Sequence, residues 1–164
     1  MKTFLKLLAG MGAGLLLLSL LSCIKASQPD GTREPQEEPQ EESQMPDKIK
    51  ITISGATIPV VLVSNDATKT LVAALREAPI TYTASDYGGF EKVGALGRSL
   101  PAGNSQITTQ AGDVVLYSGN QIVLFYGSNA WSYTRIGRME YGSLDALKSF
   151  LKAGEGDVRV TLSL

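Results

Sequence analysis

No histidine occurs in the 164 residues, and the one cysteine, Cys23, lies close to the N-terminus. The commonest general base, the commonest thiolate nucleophile and the two commonest zinc ligands are therefore missing from most of the chain. Any chemistry has to come from carboxylates, Ser, Thr, Tyr, Lys or Arg. Ser85-Asp86-Tyr87-Gly88-Gly89-Phe90-Glu91 joins two carboxylates and two aromatics across a glycine pair. As a site, the glycines let a ligand approach the backbone closely, with Tyr87 and Phe90 as walls and Glu91 alongside. As architecture, which is the preferred reading, Gly88-Gly89 is a turn or bulge needing positive φ, Phe90 a core plug and Asp86 an Asx-turn acceptor.

Asn129-Ala130-Trp131-Ser132-Tyr133 is the stronger binding candidate. A lone tryptophan in a polar loop is expected to be partly exposed, and such aromatics anchor ligands and peptides. The competing reading folds Trp131 back as a hydrophobic lid. Arg135 and Arg138 are three apart on one expected strand, which points them to opposite faces, so at most one can face a given site. Gly112-Asp113 reads as a tight turn, and no Gly-Lys-Ser/Thr follows any glycine to make a phosphate loop. The candidate binding set is Tyr87, Phe90, Glu91, Asn129, Trp131, Tyr133 and Arg135. No catalytic residue, metal ligand or cofactor is assigned.

These side chains need elements to hold them. Lys48–Ile53 and Asp157–Leu162 alternate polar and apolar as half-buried strands do. Thr57–Leu62 returns from a Ser54-Gly55 turn, with Pro59 at an edge or bulge. Asn65-Asp66 can cap a helix over about Ala67–Glu77 that Ala78-Pro79 stops, and Ser143 can cap a second with Leu144, Leu147, Phe150 and Leu151 on one face, ended by Gly154. Ile80–Ala84 is a strand. Ser85–Ala111 is irregular, with short strands near Glu91–Val93 and Gln106–Thr108. Asp113–Tyr117 and Gln121–Tyr126 make the clearest hairpin. Gly127–Ser132 is a polar loop leading to a strand at Thr134–Met139. About eight short strands with only two helices point to a closed antiparallel barrel, which also removes exposed edges.

The chain ahead of Lys48 differs in kind. Lys2 and Lys6 precede an uncharged apolar run, Leu7–Leu21, that ends at Ser22-Cys23, the layout of a secretory signal. Leu20-Leu21-Ser22-Cys23 resembles the lipobox of bacterial lipoproteins, whose cysteine is lipidated and becomes the first mature residue. The resemblance implies a signal peptide over residues 1–22 and a lipid-anchored protein of the bacterial cell envelope, facing outside the cytoplasm at the outer membrane or cell surface. An uncleaved membrane helix and an ordinary signal cleaved near Ala26 are the alternatives, although the apolar run is slightly short for a span.

Between Ile24 and Asp47 seven acidic and two basic residues are interspersed with four prolines. Such a composition buries too little apolar surface to offset chain entropy, so residues 23–47 are expected to be a disordered tether. As a flexible coil it would reach about 25–30 Å. Residues 48–164 carry eleven basic and nine acidic side chains, one domain's worth of chain with no charge excess for a nucleic-acid groove.

Ala111-Gly112-Asp113-Val114-Val115-Leu116-Tyr117 followed by Asn120–Ser128 resembles the central hairpin of cyclophilins. With Ser85–Lys92, Gly112-Asp113 and Asn129–Arg135, the domain is similar to the small bacterial cyclophilin-like proteins over Lys48–Leu164. The resemblance implies a mainly β fold: a closed antiparallel eight-stranded barrel capped by two α-helices. It does not carry prolyl isomerase activity across, because the Phe-His-Arg strand motif is absent and Arg98 aligns with no catalytic strand. The barrier to isomerisation is about 18–20 kcal/mol, and an apolar pocket without a positioned donor lowers it little. The expected function is a membrane-tethered, non-catalytic domain, monomeric, that binds a peptide or small ligand and no nucleic acid. The alternatives are a divergent peptidyl-prolyl isomerase acting on exported proteins and an accessory to a redox partner.

Overall fold

Alternation at the two ends of the domain becomes paired strands. In the computed structural model, which describes residues 44–164, β1 (Lys48–Ile53) lies between β2 (Ala56–Leu62) and the last strand, β9 (Val158–Ser163). Ile49, Ile51 and Ile53 point inward with Val160 and Leu162, all essentially free of solvent contact, while Thr52 and Thr57 hydrogen-bond on the outside. Period-2 burial is what half-buried strands require.

Eight strands close. The order is β2, β1, β9, β3 (Ile80–Tyr87), β4 (Glu91–Ala95), β7 (Gln121–Phe125), β6 (Asp113–Tyr117) and β8 (Ala130–Met139), and β8 returns to β2 through Val60 opposite Met139 and Leu62 opposite Gly137. Every pairing is antiparallel. A ninth strand, β5 (Ser105–Thr108), pairs only with the first half of β8.

Two helices pack into the barrel's interior cluster. α1 (Asp66–Glu77) contributes Leu71, Val72 and Leu75, and α2 (Leu144–Leu151) contributes Leu147 and Leu151. Asn65 caps α1 by accepting from Thr68 N at 2.9 Å, and its amide also donates to Arg135 O at 2.7 Å, which ties the helix start to β8. Ser143 caps α2. The stop of α2 differs from expectation: Lys152, at φ 54°, takes the left-handed position two residues before Gly154. Its N–H bonds back to Lys148 and Ser149 carbonyls, which outweighs the modest cost of that conformation for a non-glycine residue.

Three further departures bear on the site. β3 runs on through Asp86 and Tyr87, and Gly88 and Gly89 at φ +62° and +75° turn it into β4. Consecutive left-handed residues suit the right-handed twist of a hairpin and favour glycine. β8 begins at Ala130, so Trp131 stands on a strand, opposite Ile107, instead of in a loop. Finally, Ile136 is an extra residue in β8: Gly137 faces Val114 and Arg135 faces Val115. Such a bulge resets the alternation, and Arg135 and Arg138 consequently reach the same carboxylate.

At the domain's start, Gln44 O accepts from Arg76 at 3.0 Å, Asp47 O accepts from Leu62 N at 2.8 Å, and Met45 packs on the core. Residues 44–47, assigned to the tether from composition, are thus held against the barrel. The signal segment, Cys23 and the rest of the acidic stretch lie outside the described residues.

Candidate functional site

The apolar runs of β6 and β7 are buried on both faces, which is why they read as continuous and not as alternating. Val114, Leu116, Ile122 and Leu124 face the barrel interior, whereas Val115, Val123 and Phe125 form a second cluster on its outer wall with Tyr133. Phe125 packs edge-on to Tyr133, with centroids 5.7 Å apart, and Tyr133 packs edge-on to Tyr117 at 6.0 Å. β5 and the first half of β8 fold over this wall, bringing Ile107 and Tyr133 onto it.

Beside that flap opens a cleft of about 360 Å³. Val93, Val123 and Gln121 form its floor, Tyr117 and Tyr133 its inner walls, and Tyr87, Asn129 and Trp131 its rim. Trp131 is 55% exposed and Tyr87 64%, so two large aromatics stand unpacked at its mouth. Asn129 Nδ2 donates to Tyr133 Oη at 3.0 Å and fixes that ring, while Asn129 Oδ1 accepts from Ala130 N.

The acidic member of the cleft is Glu91, at the first position of β4. Only 5% of it is exposed, and among the described residues Oε2 has no hydrogen-bond partner. Burial pushes its carboxyl up to about pH 7, because a charge withdrawn from water without a counter-ion favours the neutral form. Tyr133 is raised first by burial and then by the nearby Glu91 charge, against which the Asn129 contact works.

The neighbouring residues point the other way and are fully engaged. Lys92 is wholly buried; it pairs with Asp86 Oδ2 at 2.8 Å and donates to Gly156 O. Asp86 also accepts from Tyr126 Oη at 3.0 Å and Gly156 N at 2.9 Å. Partial burial works to raise the Asp86 pKa, but donation from Lys92, the Gly154 and Gly156 backbone and Tyr126 holds it at about 2. Asp86 is therefore an ion-pair acceptor linking β3, β4 and the loop before β9, and not the Asx-turn acceptor the sequence implied.

Five of the seven candidate residues, Tyr87, Glu91, Asn129, Trp131 and Tyr133, are brought together around this cleft. Phe90 lies behind it, stacked on Phe125 at 6.4 Å and 3° between planes; its carbonyl accepts from Tyr126 N and Gly127 N. Arg135 lies elsewhere. It donates to Asp113 Oδ2 at 3.1 Å while Arg138 donates to Oδ1 at 2.8 Å and to Ala111 O. Asp113 also accepts from Gln110 N within the turn. Among the described residues, no three Cys, Asp or Glu side chains group as metal ligands would.

A profile of the Cyclophilin-like family matches residues 51–163, most of the chain. The chain belongs to the Cyclophilin-like family. No curated protein matches it. Among solved structures it is similar to the hypothetical protein AF2241 from Archaeoglobus fulgidus, known from a solution structure, with 21% identity, a TM-score of 0.51, and coverage of 75% of this chain and 98% of that one. That likeness concerns the fold alone.

In this cyclophilin-like domain the cleft also contains residues that sequence reasoning missed: Val93, Tyr117, Gln121 and Val123. One signal was available for three of them. In a hairpin buried on both faces, Tyr117 shares a face with Val115, and their cross-strand partners Gln121 and Val123 lie on that same face. On the outer wall of the cyclophilin-like barrel a carboxylate and four aromatic rings thus meet, and among the described residues no basic side chain lines the cleft.

Proposed function

We propose that this chain is an envelope-tethered, non-catalytic member of the family that binds a peptide segment or small ligand in the outer cleft. The reading rests on one observation above others: a buried carboxyl group with an unpartnered oxygen, on a residue lining a cleft rimmed by unpacked aromatics. Native structures satisfy nearly all buried polar atoms, so an unpartnered oxygen on a residue that lines an open cleft points to a group supplied from outside. A cleft of this volume falls in the range that takes a side chain or small molecule.

Catalysis of prolyl isomerisation would need a donor positioned toward the prolyl nitrogen. Arg135, the one basic residue of the candidate set, is committed to Asp113, and Lys92, between Glu91 and Val93, is committed to Asp86. The tether is the other half of the proposal. Two or more acyl chains on Cys23 would anchor the protein durably, at about 0.8 kcal/mol per buried methylene.

The chain's single tryptophan, at the cleft rim, makes the test direct. Full-length protein in non-ionic detergent is titrated with proline-containing peptides and a small-molecule fragment panel while Trp131 emission is followed. A saturable change, weakened at least tenfold by Tyr133→Ala in protein that still melts cooperatively, supports the cleft. Prolyl-peptide isomerisation measured alongside should run at the uncatalysed rate; acceleration abolished by a single arginine substitution would replace this reading with an enzymatic one. Cys23→Ser should move the chain from the membrane fraction to the soluble one; retention in the membrane defeats the lipid anchor.

A further inference from the structure

We propose that the outer cleft selects an alkylammonium cation, with Glu91 as its counter-ion and the rings of Trp131, Tyr87, Tyr117 and Tyr133 as its walls. The inference rests on the ligand-binding reading above and names the chemistry the cleft takes.

Glu91 supplies the first reason. It is a 5% exposed carboxylate whose Oε2 is paired with nothing among the described residues, and leaving such an atom unsatisfied is costly, more so when it is charged. Among the described residues, the neighbouring cations do not serve it. Lys92, adjacent in sequence, projects to the opposite side of β4 and is spent on Asp86 and Gly156 O. Arg135 and Arg138 share Asp113. The missing partner is therefore a donor that enters from solvent.

The walls say which kind of donor. An aromatic face carries negative potential, and a cation within about 6 Å of a ring centroid is attracted to it, most strongly over indole. Four aromatic side chains around one carboxylate favour a positive head with a methylene or methyl surface. An anion would meet Glu91 as a like charge, and a neutral apolar group would leave its oxygen orphaned. The titratable groups that feel Glu91 are the phenols Tyr133 from β8 and Tyr126 just after β7, and Tyr87 from β3 and Tyr117 from β6 share the cleft with it. None supplies positive charge near neutral pH. A bound cation favours ionised Glu91, so binding releases a proton and strengthens as pH rises from 6 to 8.

The test compares choline with 3,3-dimethyl-1-butanol, its uncharged carbon isostere, by Trp131 fluorescence on the full-length protein in non-ionic detergent. Capped lysine and capped trimethyllysine are titrated in parallel. Expected are saturable binding of the cations, at least tenfold weaker binding of the isostere, and a tenfold or greater loss of cation binding in Glu91→Gln with little change for the isostere. Capped lysine derivatives that bind more tightly than choline place the cation on a peptide side chain; the reverse order points to a free amine, and both support the inference. Equal affinity for choline and its isostere in the wild-type protein overturns it, without reliance on any variant, and leaves the ligand-binding reading standing. So does the absence of a saturable response to any cation, since the peptide and fragment panel tests that reading separately.

Discussion

Glu91→Gln should change how the stability of this protein depends on pH, in a direction opposite to that of most carboxylates. The unperturbed Glu pKa is 4.5, and burial carries Glu91 to about 7 in the folded state. Between those values the folded protein keeps a proton that the unfolded chain releases. The unfolded state then binds fewer protons, so unfolding free energy falls as pH rises. The stabilisation is fully present below about pH 4.5 and is lost as pH rises through about 7. A shift of roughly 2.5 units at 1.36 kcal/mol each sets the total near 3 kcal/mol.

Glutamine keeps the shape and removes the titration. Urea unfolding of wild type and Glu91→Gln, followed by far-ultraviolet circular dichroism from pH 4.5 to 8.5, isolates the effect as a difference of differences. The variant should gain about 3 kcal/mol on the wild type across the series. Comparing the same two proteins at each pH cancels every other titrating group. The Asp86 transition, centred at about pH 2, lies outside the window. A wild-type-minus-variant difference that stays constant to within about 0.5 kcal/mol from pH 4.5 to 8.5, the scatter expected of independent effects, would refute a solvent-shielded, unpartnered carboxylate.

Asp86 should show the opposite sign: its folded-state pKa is depressed, so it contributes about 2 kcal/mol of stability above pH 4 that disappears as pH falls through about 2, and Asp86→Asn should flatten that acid limb. Lys92→Met removes one partner of a buried pair and should cost about 3–5 kcal/mol by urea unfolding, much of which the double variant Asp86→Leu/Lys92→Met should recover. Gly94→Ala would place a Cβ 2.3 Å from Thr83 O and 2.6 Å from the Tyr82 ring; a loss of about 1–3 kcal/mol is expected. Gly103→Ala, with nothing within 4 Å, should stay within about 0.5 kcal/mol.

How much of this was legible in the sequence follows the range of the interactions involved. β1 and β9 announce themselves by alternation, and Asn65 and Ser143 mark both helix starts, because capping and period-2 burial are local. The central hairpin was legible for the opposite reason, as an apolar run too continuous for a one-faced strand. Trp131 was misplaced in a loop because Ala130–Ser132 becomes a strand only by pairing with Ser105–Thr108, a contact that no local propensity encodes. The bulge at Ile136 is equally silent: nothing in Thr134-Arg135-Ile136-Gly137-Arg138 says that one residue will go unpaired. Three-residue spacing therefore gives the wrong answer for Arg135 and Arg138, which meet on one face at Asp113.

Of the cleft, the aromatic rim could be read from residue type, but the isolation of Glu91 could not. Which of Asp86 and Glu91 meets Lys92 depends on the turn at Gly88-Gly89 and on where Gly156 arrives from the far end of the chain.

The bulge at Ile136 divides one strand between two obligations. From Gly137 onward β8 is stitched on both sides, to β6 and β2; from Ala130 to Tyr133 its strand partner is β5, which pairs with nothing else. Opening the outer half therefore breaks one ladder and leaves the barrel seam intact. That makes 105–108 and 130–133 a candidate sub-global unfolding unit, with amides expected to exchange ahead of those in Gly137–Met139. A ligand gripped by Trp131 and Tyr133 would hold that unit shut, so occupancy of the cleft would be written into the exchange rates of one half of a strand whose other half is stitched into the barrel seam.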